Sequence, residues 1–207
     1  GWSLEHRFNA AWKVRQTLRY TRSHQRYGAI DLRPSDDPAI SPYLDDAQRL
    51  LDRDGYFWNI RSRSFATDQH LQGSFTTGPV QHRLLAGFDV LRYRYGQHSA
   101  SDSSDEPGSL LRAMDGFAPV YDFDYRPPAY TSYSDTRTTQ TGVYLQDQLR
   151  WGAWGLIGGI RHDRVETRVS HPQEGETSTE KDRATTRRVG LLRDLGPAWT
   201  TYLSYSE

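Results

Sequence analysis

The chain has 207 residues, enough for one domain of ordinary size, and its 26 Lys+Arg balance 26 Asp+Glu to give no net charge. That balance excludes a sequence-wide basic field, so nucleic acid is not an expected partner, and the lack of cysteine excludes a disulfide framework or a cysteine-held metal. Mean hydropathy is -0.83 and the longest uncharged apolar stretch, 151–160, carries four glycines; this falls short of the roughly 18–20 residues of a spanning helix, whereas a barrel with a wet lumen shows lipid only every second side chain and stays compatible.

Period-two alternation predicts eight strands. The first hairpin joins 1–8 to 12–22 through a tight turn at 9–11. Trp12, Val14, Leu18 and Tyr20 share one face of its second strand, and Lys13, Arg15, Thr17, Arg19 and Thr21 share the other. A long polar loop is expected over 23–55. Within it, Ile40, Leu44, Ala47, Leu50 and Leu51 recur at helical spacing, which predicts a short helix in the stretch 38–54. The second hairpin joins 60–76 to 80–95 around Thr77-Gly78-Pro79, with His82, Leu84, Ala86, Phe88 and Val90 on one face and Arg83, Leu85, Gly87 and Asp89 on the other. A loop over 96–135 follows, then a hairpin of 136–151 with 154–169, a loop over 170–184, and a last hairpin of 185–194 with 198–206. Gly1 falls directly into a strand pattern and 204–207 ends inside one, so the chain is expected to be part of a longer precursor.

Short turns alternate with long loops, as they do in an outer-membrane barrel, where one rim closes the structure and the other makes contacts. The strands exceed the 5–6 residues usual in globular sheets and reach the roughly 9–11 needed to cross a bilayer at a tilt. Phe8, Trp12, Phe75, Trp151, Trp154 and Trp199 gather beside the short turns, where a girdle of interfacial aromatics would lie; cross-strand aromatic pairing at hairpin ends is the plainer account. A passive porin or adhesin barrel would show the same alternation, and a soluble carbohydrate-binding sandwich would bury the apolar face between two sheets.

Thr141-Gly142-Val143-Tyr144-Leu145-Gln146-Asp147-Gln148, then Trp151, then Gly158-Gly159-Ile160-Arg161-His162-Asp163, resembles a signature of TonB-dependent siderophore receptors of the ferrichrome and ferrioxamine type. The segments 82–89, 118–121 and 202–207 are similar to that family as well. The resemblance implies an all-β fold: an antiparallel up-and-down meander of about eight long strands, residues 1–207 forming part of a 22-stranded transmembrane outer-membrane β-barrel. It also implies a plug domain that these residues do not include, residence in the outer membrane of a Gram-negative bacterium, and lipid around the wall. The expected ligand is a ferric siderophore. The energy source would be the TonB complex, acting through the missing plug. No cofactor is expected, since iron would arrive already held by its chelator, and no enzyme activity is implied.

Arg61 with Arg63, Arg92 with Arg94, and Arg161 with Asp163 are same-face pairs. Facing lipid at the midplane an arginine costs about 2–4 kcal/mol, so all six are expected to line the lumen, either paired and solvated there or attracting an anionic chelate. The loop aromatics Phe117, Tyr121, Phe123 and Tyr125 are candidate ligand contacts, because rings with polar tips pack an apolar backbone and can also hydrogen-bond; the same rings could instead pack the loops together. His162 and Glu166 are four apart, about 13 Å along a strand, too far to share a metal. No serine stands in a nucleophile-elbow context.

Overall fold

The computed structural model describes residues 1–33, 39, 41–104, 106–109, 111–120 and 125–207. Among these residues, alternating sequence and tight turns produce nine antiparallel strands: β1 Trp2–Arg7, β2 Trp12–Arg33, β3 Leu50–Thr77, β4 Val80–Ser103, β5 Met114–Asp115, β6 Ser132–Trp151, β7 Trp154–His171, β8 Glu176–Gly196 and β9 Trp199–Ser206. They form one sheet in the order β1-β2-β3-β4-β6-β7-β8-β9, with the two-residue β5 added to β3. The up-and-down meander is therefore present. One continuous sheet replaces the two facing layers a sandwich would need.

Each tight turn has a local cause. Asn9 Oδ1 accepts from the backbone N of Ala11 and Trp12 at 2.8 and 2.9 Å, closing β1 onto β2. Gly78 and Gly152 take φ values of 58° and 56°, a region open to glycine at little cost. A register shift between Asp194 and Gly196 marks the last turn.

Two expectations are corrected. The strands run well into the segments expected to be loops: β2 continues to Arg33, β3 starts at Leu50, β4 ends at Ser103, and only 172–175 separates β7 from β8. No helix forms in 38–54 among the described residues. Instead Leu50–Asp54 opens β3 and Tyr43 bridges to Leu51; Pro38 and Ile40 lie outside the described residues. The helical spacing of the leucines is outweighed by backbone pairing of Leu50 and Leu51 with β5 and with the Tyr43–Leu44 segment, an effect of distant partners that periodicity cannot register.

Paired residues share a face, so the register sorts every side chain. Val14, Leu71, Ala86, Leu145 and Ile160 form one row across five strands. Rows above and below contribute Trp12, Leu84, Leu18, Val90, Phe75 and Leu156, and the alternation expected for β2 and β4 holds. Arg187 interrupts this apolar face, standing opposite Ile160. Thr17, Asp68, Asp89, Gly142 and Asp163 form a row on the polar face.

A single-layer sheet has little core. Phe57, Ala100 and Leu111 are its buried apolar residues among those described, while Trp12's neighbours on the apolar face, including Phe8, Phe88, Val143, Leu145, Trp151 and Leu203, are exposed. Along β6 this band runs from Trp151 to about Thr141, which at ~3.4 Å per residue and a tilt near ~45° spans about 24 Å. That matches the apolar height of an outer-membrane barrel. No helix among the described residues is long and apolar enough to cross a membrane.

Candidate functional site

The polar face carries a network that crosses strands. Arg161 on β7 forms two bidentate pairs, to Asp163 on its own strand (Nε–Oδ2 2.7 Å, Nη2–Oδ1 2.6 Å) and to Asp89 on β4 (Nη1–Oδ2 2.7 Å, Nη2–Oδ1 3.2 Å). Reaching β4 means passing over β6. The side chain does so at Gly142, where an added Cβ would collide with the guanidinium. Tyr144 repeats the device one strand over: its hydroxyl donates to Asp68 Oδ2 on β3 at 2.7 Å, passing over Gly87 on β4, where a Cβ would come within 2.5 Å of the phenol oxygen. Asp68 Oδ1 also bonds His70 Nδ1 at 2.7 Å, and Gln72 extends the chain to His70 Nε2 at 3.2 Å. The Arg161 guanidinium lies 5.6 Å from the Tyr144 ring.

Asp68, His70, Gln72, Tyr144 and Arg161 line an open cavity of about 670 Å³, with Arg15, Gln146 and Arg188 beside them. Chemically the network is a fastener: Arg161 holds two carboxylates, Asp89 and Asp163, while Tyr144 holds a third, Asp68, so that β7 is tied to β4 and β6 to β3. Arg161 is thus committed to protein carboxylates. Sequence reasoning selected Arg161 and Asp163 but missed Asp68, Asp89 and Tyr144; the available signal was glycine on the polar face beside large polar side chains, at Gly87 and Gly142.

The other four arginines are corrected. Arg61 and Arg63 on β3, and Arg92 and Arg94 on β4, fall on the face opposite Arg161 and Asp163, because Arg63 pairs with Arg94 in the alternate rows from Asp68 and Asp89. They share the apolar face but lie beyond the apolar band along the strands. The cost of an arginine facing lipid depends on depth as well as on face, and the strands are long enough for these residues to escape it by height.

On the extended ends of the strands the loop aromatics separate. Tyr125 packs against Phe57 at a ring distance of 5.9 Å and donates to Asp102 Oδ2 at 3.0 Å. Its role there is to seat the loop against the β3–β4 hairpin. Phe117 is 72% exposed, beneath the Arg49 guanidinium at 5.6 Å. Arg49 also pairs with Asp115 at 2.6 Å, and this bond, with backbone donation from Phe117, holds the Asp115 carboxyl below the usual carboxylate range. Tyr121 and Phe123 lie outside the described residues. Among the described residues no group of His, Asp or Glu is placed to hold a metal.

Long staves with one apolar band and one cross-linked polar face define the wall of a membrane-type β-barrel. A profile described as "TonB dependent receptor-like, beta-barrel" matches residues 1–207, and the chain belongs to that family. It is 33% identical over 211 residues to the ferrioxamine B receptor of Salmonella typhimurium strain LT2, covering 100% of this chain and 27% of that protein. It is 29% identical over 218 residues to the ferrichrome outer membrane transporter/phage receptor of Escherichia coli K12, again covering 100% of this chain and 29% of the relative. The chain therefore spans less than a third of the length of these relatives. Among solved structures, the siderophore receptor PiuA from Acinetobacter baumannii shares the fold with a TM-score of 0.76 at 19% identity, over 99% of this chain and 31% of that one. The ferric-catecholate import receptor Fiu of E. coli K12 in its closed form superposes with a TM-score of 0.74 at 18% identity, over 99% and 31%.

Proposed function

We propose that these residues form part of the barrel wall of an outer-membrane receptor of a Gram-negative bacterium that imports a ferric siderophore, driven by the TonB complex. The observation that carries this reading is the division of the sheet. A predominantly apolar band faces one way, and a hydrogen-bonded polar surface faces the other, in a chain belonging to a receptor family whose relatives above include ferrioxamine B and ferrichrome receptors. In this reading the polar face lines the lumen and meets the plug, and the strand extensions above the band form the ligand vestibule. Phe117 is the proposed contact for the chelate's apolar backbone. Iron enters as cargo inside its chelator, so the wall supplies no metal ligands. The barrel does no bond chemistry; its residues position, solvate and exclude.

The test is growth of an iron-starved deletion strain complemented with the complete receptor, on ferrioxamine B, ferrichrome and other hydroxamate chelates offered singly. Receptor-dependent growth on at least one chelate, lost when the TonB complex is inactivated, is expected. Growth indifferent to the receptor on every chelate tried would refute uptake, and uptake that persists without TonB would indicate a passive barrel.

A further inference from the structure

The buried side chains gather at one end of the wall. Among the described residues the buried apolar ones are Phe57, Ala100 and Leu111, and the buried polar ones are Asp52, Arg53 and Asp135. Phe57 stands opposite Ala100 across β3 and β4, and Leu111, only 1% exposed, belongs to the connection 104–131 between β4 and β6. Ala100 is twenty residues beyond Val80 at the start of β4; at ~3.3 Å per residue and a tilt near ~45° that is about 47 Å, well past an apolar band of about 25 Å. Lipid tails do not reach this height. Apolar side chains on that face therefore need protein to cover them.

The connection 104–131 supplies the cover, and from one side. Gly55 with Asp102, and Phe57 with Ala100, continue the face that carries the apolar band. On that face Tyr125 sets its ring 5.9 Å from Phe57 and donates to Asp102 Oδ2 at 3.0 Å. Gly55 makes room for it, since an added Cβ would come within 2.9 Å of the Phe57 ring and 3.2 Å of the Tyr125 hydroxyl. Arg53, on the same face, donates through Nε to the carbonyl of Arg112 at 2.7 Å, beside the buried Leu111. Farther along, the Tyr130 ring lies 6.0 Å from His98 and Thr131 N donates to Ser99 O at 3.0 Å. β5 ties the middle of the connection to Leu50 and Leu51 at the upper end of β3. The other face of these strands stays open: Tyr27 and Tyr56 are exposed, with Tyr27 stacked on Trp58 at 4.9 Å. A long connection that is ordered by a core of its own is a folded element, and this one is folded against the outer side of the wall.

We propose that the connection 104–131 is a fixed buttress on the outside of the β3–β4 extension, which braces the vestibule wall and does not close over its mouth when a chelate binds. Phe117, two residues past β5, is then in place before any chelate arrives. The inference rests on the receptor reading above but not on which chelate is imported. The test uses the complete receptor in micelles, freed of other thiols and spin-labelled at Ala118→Cys in the buttress and Glu176→Cys on β8, with the distance between labels read by pulsed electron paramagnetic resonance. Ferrioxamine B and ferrichrome are then added separately, and binding is followed by tryptophan quenching.

The resting receptor should give one narrow distance, unchanged to within about 2 Å by a bound chelate, the displacement that separates a rigid surface from a rearranging one. Leu111→Ala removes a buried side chain whose loss leaves a cavity, and Arg53→Gln removes the donor to Arg112; each should broaden the distribution about twofold while the barrel stays heat-modifiable. Should Leu111→Ala not assemble, Arg53→Gln alone gives the reading. A shift of more than about 2 Å on chelate binding, a broad distribution in the resting native receptor, or a distribution that stays narrow in the assembled variants would each overturn the proposal. If neither chelate binds, the transport reading loses its support, and the resting distance with its response to the two variants still decides the buttress.

Discussion

At Gly142 the side chain is absent because Arg161 occupies its place. A Cβ there would meet the guanidinium and push it from Asp89, leaving a carboxylate on the polar face without its bidentate partner. Gly142→Ala in the complete receptor should cost roughly 1–3 kcal/mol, read from denaturant unfolding in micelles. Gly158 is the control. It stands on the apolar face, where a Cβ would meet nothing within 4 Å, so Gly158→Ala should stay within about 0.5 kcal/mol of the native protein. Equal effects at the two glycines would dismiss the fastener. The residue types at this site were legible, since Arg161 and Asp163 are two apart on a strand and must share a face. Asp68 and Asp89 were not, because their partners are 76 and 72 residues away. Asp147 is another residue that only register explains: a carboxylate on the apolar face, tolerated beside His82 Nδ1 at 2.8 Å.

The strands are where reading from sequence succeeded at one end and failed at the other. Near the short turns, side chains alternate because one face meets an apolar medium and the other a wet one, and the expected strands match. Farther out, neither face of 23–33 or 96–103 keeps a sustained apolar row, alternation fades, and the segments read as loops. They are strands nonetheless, because the ladder continues: β3 reaches 28 residues and β4 reaches 24. Tyr125 helps hold this extension. Burial, and then its hydrogen bond to Asp102, push the phenol up to about 12, against an ordinary value near ~10. Because the folded value is raised, the stabilisation is whole below about 10 and is lost as pH rises through about 12. Ultraviolet titration of the complete receptor minus its Tyr125→Phe variant should therefore show one phenol ionising near the upper figure. A difference curve centred at the ordinary value would mean that Tyr125 is free in solution.

Among the described residues, β1 and β9 each have a partner on one side only, and few apolar residues are buried. Open edges offer unpaired backbone to any other chain, and an exposed apolar face of this size is an association surface in water. Residues 1–207 expressed by themselves should accumulate as aggregates and, refolded into micelles, give no discrete heat-modifiable species on gel electrophoresis, whereas the complete receptor should. A monodisperse, protease-resistant monomer of the segment would contradict this. The sequence by itself determined the strand alternation, the tight turns, the apolar band and, through its motifs, the family, since each of these is written in residues a few positions apart. Only the tertiary structure decided which arginines share a face, how far up each strand they stand, and which carboxylates Arg161 and Tyr144 reach. Those depend on register and height in a sheet assembled from distant segments, and no local pattern carries that information.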